Sequence, residues 1–253
     1  MSRAIRIVAP FRPFPLEADH HREQADFDWM DAIHMMSTSA ARACRCPVHV
    51  LTDVDTDLPF DCLKYETIER RLMLWNLEIC AQYLASDDFD RDTIMLDSDQ
   101  IVLHDLAPRF PEGVDAGILI RPAAKHITGQ PILNGVQFWA MRGRERLVAF
   151  FRQALVIAKA LPEKQIQWGA DTDALRVLLE PLSLGIHQRA GLTVALLESR
   201  TVIETFSSVH EKWLAAGTPF AVPTKPVLDF RNLRKPFMRP VYDAIFQDAA
   251  VTA

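Results

Sequence analysis

The chain of 253 residues has few of several things. It has four cysteines, Cys44, Cys46, Cys62 and Cys80, with no second Cys-x-Cys pair and no histidine cluster beside them, so neither a disulfide framework nor a zinc site is expected. It has no glycine between Ala9 and Asp53, which removes the glycine-rich phosphate loop that commonly follows a first strand in nucleotide enzymes. It has no run near the roughly 18 apolar residues of a membrane span; the best stretch, 147–161, contains Arg152 and Lys159. The N-terminus carries Arg3 and Arg6, but only a short apolar stretch separates them from Pro10, Pro13 and Pro15, so it does not read as a secretion signal. A cytoplasmic protein is the expectation, with tethering to a membrane through a partner as the alternative.

Charge of neither sign dominates. There are 28 Lys+Arg against 33 Asp+Glu, a formal net charge of -5, which argues against nucleic acid or anionic lipid as a general partner. Hydrophobic residues make up 49% and charged residues 24%, enough apolar material for a globular core and too much for disorder. The length suits one large α/β domain or two small ones, and with no internal repeat and no long linker, a single domain over 1–253 is expected.

Strand and helix patterns alternate through the first half. Residues 4–9 and 47–51 read as strands, and 27–43 as a helix. Ile68, Leu72, Trp75, Ile79 and Tyr83 fall on one helical face. Further strands are expected at 93–96, 100–103, 116–120, 132–141, 193–197 and 201–203. Helices are expected at 147–161, at about 171–179, and at the C-terminus. This order predicts an α/β fold with a central, mostly parallel sheet flanked by helices.

The informative segment is 93–103, where an apolar strand runs into Asp97-Ser98-Asp99 and a second apolar strand leaves it. On an extended backbone Asp97 and Asp99 point the same way. Two carboxylates on one side repel unless solvent screens them or a cation stands between them. Hard divalent cations take oxygen ligands and often complete their shell from substrate phosphates. Ligands of open α/β sheets gather at the carboxyl ends of strands. An Asp-rich turn with no ligand is the plainer alternative.

At these residues the chain resembles the glycosyltransferases of the GT-A fold, in particular the glycogenin-like and lipopolysaccharide-galactosyltransferase-like family. Four of its landmarks recur in order: IMLDSDQIVLHDL at 94–106, Leu133-Asn134-Gly135-Val136, Asp171-Thr172-Asp173-Ala174-Leu175, and Asp229-Phe230-Arg231-Asn232-Leu233-Arg234-Lys235-Pro236-Phe237. The resemblance implies a Rossmann-like single domain, with a nucleotide-binding half over about 1–106 and a sugar and acceptor half over about 107–253. It implies metal-dependent transfer of a sugar from a nucleotide-diphosphate donor, a UDP-sugar, to a carbohydrate, lipid or protein acceptor. It implies Mn²⁺ or Mg²⁺ on Asp97, Asp99 and Asp229, and Lys235 on the diphosphate. Ala9, Pro10, Phe11, Thr52, Asp53, Arg71 and Ser98 would lie about the nucleotide, with Arg70 as the alternative to Arg71. Gly135 would lie beside the transferred sugar, and Asn134, Asp171 and Asp173 would attend the reacting centre. For the two helix-opening aspartates, favourable placement in the helix dipole is the competing explanation.

The chain departs from the family in three places. Asp229 stands where the family has a histidine ligand, Asn232 where it has glycine, and Thr172 where it has a glutamine near the reacting carbon, which leaves retention or inversion open. Trp168, His210 and Trp213 are candidate acceptor contacts, with core packing the competing explanation. The segment 216–226 is a candidate lid. A sugar-1-phosphate nucleotidyltransferase and a non-catalytic sugar-binding protein on the same fold are the rival functions. The first is disfavoured by the missing glycine-rich loop. The basic residues Arg231, Arg234, Lys235 and Arg239 give the C-terminal stretch a local positive counterweight.

Overall fold

The computed structural model describes residues 4–13, 27–122, 131–166, 169–216 and 222–246. The chain begins with β1 (Ile5–Pro10), α1 (Trp29–Cys44), β2 (Val48–Asp53), β3 (Cys62–Tyr65) and α2 (Leu72–Ala85). β4 (Asp92–Leu96), β5 (Gln100–Val102), β6 (Ala116–Ile120) and β7 (Ile132–Trp139) follow. Then come α3 (Arg144–Lys159), the single turn α4 (Glu163–Ile166), α5 (Ala170–Leu179), β8 (Gly185–Arg189) and β9 (Leu192–Glu198). The chain continues through β10 (Ile203–Thr205), α6 (Ser208–Ala215) and β11 (Val227–Asp229), and a 3₁₀ stretch at Asn232–Phe237 runs into α7 (Met238–Phe246).

Eight strands form one sheet in the order β3-β2-β1-β4-β7-β6-β9-β8. β3, β2, β1 and β4 run parallel, β7 runs against both β4 and β6, β9 is parallel to β6, and β8 closes as an antiparallel edge. This is the expected mostly parallel, mixed sheet. Side chains alternate across it: Ile7, Ala9, Ile94 and Leu96 enter the core under α1, while Val8 and Met95 enter the core under α2, α3 and α5. Both faces are therefore covered, as a parallel sheet requires.

A second sheet, β10-β11-β5, sits at the carboxyl edge of the first. Its antiparallel β11–β5 register sets Asp229 opposite Gln100. The backbone N–H of Phe230 donates to the carbonyl of Asp99 at 3.0 Å, which extends that pairing to the turn after β4. A residue far along the chain is thereby fixed against the Asp-Ser-Asp turn.

The structure revises several sequence expectations. α2 starts at Leu72, not Ile68, which is 84% exposed in the loop before it. The backbone N–H groups of Ile68 and Glu69 donate to Glu78 Oε2 at 2.9 and 2.8 Å, so a side chain from α2 holds this loop out of the helix. β3 and β8 are short edge strands that lack the apolar pattern of a buried strand, and the pattern reading did not identify them. α1 starts just after Asp28, whose carboxylate accepts from the Asp31 N–H at 3.0 Å as a helix cap.

Asp115, 1% exposed, fastens the start of β6 to its surroundings. Its carboxylate accepts from Arg146 through Nε at 2.9 Å and Nη2 at 2.7 Å, and from the Thr193 N–H at 2.9 Å. The Arg146 hydrogen bond is the main cause holding its pKa below the ordinary carboxylate value. Asp115→Asn is expected to lose about 1–3 kcal/mol of stability in urea unfolding at pH 7. A depressed carboxylate stabilises the fold above its unfolded pKa and stops doing so on acidification. The gap between wild type and Asp115→Asn should therefore shrink below roughly pH 4.

Candidate functional site

A cavity of about 530 Å³ opens at the carboxyl edge of β1 and β4, where the two sheets meet. Pro10, Phe11 and Arg12 line it from the end of β1, and Asp97, Ser98 and Asp99 from the turn after β4. Asn134 and Gly135 enter from β7, Asp171 and Thr172 from the first turn of α5, and Asp229, Arg231 and Lys235 from β11 and the segment after it. Residues separated by most of the chain thus share one wall.

The Asp-Ser-Asp turn is held by β7. Between Ile118↔Gln137 and Leu119↔Leu133 the β6–β7 register shifts, so Asn134, Gly135 and Val136 form a bulge. The bulge presents the Gly135 carbonyl to the Asp97 N–H at 2.9 Å. A Cβ on Gly135 would sit 2.4 Å from Gln100 Nε2, so a side chain here would push the Gln100 amide out of its present position. Gln100, fully buried, accepts from the Asp97 N–H at 3.4 Å and donates to Asp229 Oδ1 at 3.3 Å. Sequence reasoning missed Gln100. Its only signal was an uncharged polar residue heading an apolar strand.

The carboxylates carry unequal compensation. Asp99 Oδ2 lies 2.8 Å from Lys235 Nζ. Asp229 accepts a hydrogen bond from Arg231 Nε, and Arg121 stands close to that arginine. Asp97 accepts from the Ser98 N–H at 2.8 Å. Although it keeps an open face toward the cavity, the surrounding protein and then the charge of Asp99 push its pKa up. Burial raises Asp229 as well, against the pull of Arg231.

At the α5 end of the cavity, Asp171 is 4% exposed. It accepts from Asn134 Nδ2 at 2.6 Å, from Asn76 Nδ2 at 3.4 Å and from its neighbour Thr172 N–H at 2.7 Å. Burial raises its pKa despite these donors. Gln137 Nε2 donates to Asn134 Oδ1, and Trp139 Nε1 donates to Gln137 Oε1 at 2.9 Å, which fixes the Asn134 amide. Asp173 is not on the cavity wall; it lies 3.7 Å from Arg176 in an i,i+3 pair.

The β1–β2 side divides in two. Pro10 and Phe11 line the cavity, while Ala9, Thr52, Asp53 and Arg71 do not. Asp53 accepts from Arg12 Nη1 at 2.6 Å, from Trp75 Nε1 at 2.7 Å and from the Thr67 hydroxyl. These bonds lower its pKa against the desolvation that would raise it. Asp53 therefore braces Arg12, which does line the cavity. Arg71 pairs with Glu163 at 3.1 Å on the exterior, and Arg70 offers its carbonyl to Arg12 Nη2 at 3.0 Å.

His210 packs between Phe206, centroids 5.2 Å apart, and Trp213, 5.3 Å, and its Nδ1 accepts from the Ser207 N–H at 3.0 Å. Neither His210 nor Trp213 lines the cavity. Trp168 and residues 217–221 of the expected lid lie outside the described residues.

Asp97 and Asp99 are hard oxygen donors on one turn, and the raised Asp97 marks negative charge that a cation would relieve. This pair fits a divalent cation that draws its other ligands from substrate. Asp229 is turned to Arg231 and Gln100, and among the described residues no three His, Cys, Asp or Glu side chains converge closely enough to hold an ion.

A raised carboxylate pKa makes the fold lose stability as pH climbs from the unfolded value toward the folded one. Wild-type stability should fall as pH climbs above about 4 through Asp97. Asp97→Asn should be at least as stable as wild type at pH 7.5 and should flatten that slope in urea titrations across the range. An unchanged slope would remove the charge strain assigned to Asp97.

No family model matches this sequence, and no curated protein sequence does. Among solved structures, it is similar to a glycosyltransferase involved in the glycosylation of the major capsid of PBCV-1. The TM-score is 0.54 at 12% identity, covering 93% of this chain and 98% of that one. It is similar to the galactosyltransferase LgtC, solved with donor and acceptor sugar analogs, with a TM-score of 0.53 at 13% identity over 94% and 95% of the two chains. The apo glycosyltransferase GlyE of Streptococcus pneumoniae TIGR4 superposes with a TM-score of 0.55 at 15% identity, and 98% of this chain spans 62% of that longer one. At these identities the likeness is one of fold, and the fold is the GT-A, Rossmann-like architecture.

Proposed function

We propose that this chain is a glycosyltransferase that moves a sugar from a nucleotide-diphosphate donor, a UDP-sugar, to a hydroxyl of a carbohydrate, lipid or protein acceptor. The observation that carries the reading is the placement of Asp97, Asp99, Lys235 and Arg231 around one cavity at the carboxyl edge of the sheet, on a GT-A fold. Residues 1–253 act as one unit in this reading, because the β11–β5 register builds the cavity from both halves of the chain.

Breaking the glycosidic bond leaves negative charge on the departing diphosphate. A Mn²⁺ or Mg²⁺ ion held by Asp97 and Asp99, with Asp229 available if Arg231 releases it, would supply Lewis-acid stabilisation of that charge. Lys235 donates to the diphosphate oxygens as a point charge, and Arg231 and Arg121 add positive potential on the same side. Ser98, buried at 5% exposure, keeps the turn in shape by donating its N–H to Asp97. Phe11 and Pro10 offer an apolar wall to the base. Asp171, oriented by Asn134 and Asn76, accepts hydrogen bonds from hydroxyls of the transferred sugar, and Gly135 lets that sugar approach the backbone. Thr172 replaces the longer glutamine of the similar family beside the reacting carbon.

The test is donor turnover. Purified protein with Mn²⁺ and a panel of nucleotide sugars should slowly release the free nucleoside diphosphate from one donor. Asp99→Ala should abolish metal-dependent donor binding in calorimetry while the circular dichroism spectrum stays native, since a turn acid is not core. Asp229→His should keep more donor affinity than Asp229→Ala. Pyrophosphate release from a sugar phosphate plus a nucleoside triphosphate would instead identify a nucleotidyltransferase, and donor affinity unchanged in Asp99→Ala would sink the metal assignment.

A further inference from the structure

The Lys235 ammonium has two neighbours of different kinds. Its Nζ lies 2.8 Å from Asp99 Oδ2 and 4.0 Å from the centroid of the Trp29 ring. Phe27 stands behind, edge to face with Trp29 at 4.9 Å and 5.9 Å from the ammonium. Lys235 is 5% exposed, and the Asp99 side chain 13%. Trp29 opens α1 just after its capping residue Asp28, and both line the same cavity as the carboxylates. The indole thus stands on a rigid element and presents its electron-rich face to a desolvated cation, the setting in which cation–π attraction is strongest.

An ammonium that holds a carboxylate oxygen at 2.8 Å excludes another cation from it. Asp99 is also the carboxylate that a divalent cation takes under the function proposed above, and this inference rests on that reading. The lysine stem has four methylenes with several rotatable bonds, whereas the indole sits on α1, so the ammonium can exchange one anionic partner for another while keeping the ring face.

We propose that Trp29 is a positioning residue that holds the Lys235 ammonium at a branch point between Asp99 and the donor diphosphate. Without a divalent cation, Lys235 is the counter-ion of Asp99. When the cation takes Asp99, the ammonium turns along the indole face to the diphosphate. Metal and nucleotide then bind cooperatively, because each supplies what the other's arrival leaves unpaired, and the coupling is reciprocal.

The test measures Mn²⁺ binding alone and with UDP, by loss of the free-ion electron paramagnetic resonance signal and by calorimetry. Wild type should bind Mn²⁺ alone weakly and markedly more tightly with UDP. Lys235→Met should bind Mn²⁺ alone about tenfold more tightly than wild type and lose most of the enhancement by UDP. Lys235→Gln serves the same comparison if the methionine variant does not fold. Trp29→Leu should weaken the enhancement by UDP, and Trp29→Phe should restore it in part, which loss of packing alone would not do. Equal Mn²⁺ affinity in wild type and the Lys235 variant, with the UDP enhancement intact in wild type, overturns this inference and leaves the donor reading standing. A wild type that binds no Mn²⁺ even with UDP overturns both.

Discussion

Negative charge gathered at one edge of the sheet is the constraint around which the rest of this structure is arranged. The exit of β4 and the β11–β5 register bring Asp97, Asp99 and Asp229 to one cavity, where their like charges raise one another's pKa and call for compensation. The chain supplies it with Lys235 on Asp99, Arg231 on Asp229, and Gln100 bridging the Asp97 backbone and the Asp229 carboxylate. The β7 bulge serves the same end, since it puts the Gly135 carbonyl on the Asp97 N–H and leaves the Gln100 amide its present position beside residue 135. Compensation is least complete at Asp97, which is where a cation has most to gain.

Much of this was legible in the sequence, and what was not has a physical reason. α1, α3, α5 and the strands of the sheet interior are recognisable because burial imposes a periodicity on them. β3 and β8 are edge strands with mostly half-buried or exposed residues, so no periodicity marks them. Asp97, Asp99 and Lys235 could be placed on the cavity from motif and order alone. Asp53 could not, because what turns it away from the cavity is a set of donors from Arg12, Thr67 and Trp75 that only tertiary folding assembles. Gln100 escaped notice for the same reason: its importance lies in joining residues 129 positions apart.

The chain has no glycine-rich loop after β1, and the structure shows what occupies that position instead. Pro10, Phe11 and Arg12 form the wall, with Arg12 clamped by Asp53 and stacked 5.2 Å over Trp75. A glycine-rich loop holds phosphate through backbone N–H groups at the strand end. Here Arg121, Arg231 and Lys235 bring positive charge to the cavity from the segments after β6 and β11, while Arg12 on the β1 wall is paired with Asp53. Under the proposed function the diphosphate therefore faces the C-terminal segment, and β1 attends the base.

Under the proposed function, Asp229 stands where the similar family has a histidine, and the change can be read in terms of charge. A neutral histidine ligand adds no charge to two aspartates, whereas a third carboxylate adds one. Arg231, two residues on and bonded to that carboxylate, cancels it. Under the proposed function the Asp229–Arg231 pair would be an electroneutral substitute for the histidine of the similar family. An Arg231 guanidinium released from Asp229 by a cation would then be a bidentate donor toward the diphosphate. Lys235 and Arg231 would act by one principle: each neutralises a carboxylate in this structure, and each would turn to the donor's phosphates when a cation takes that carboxylate.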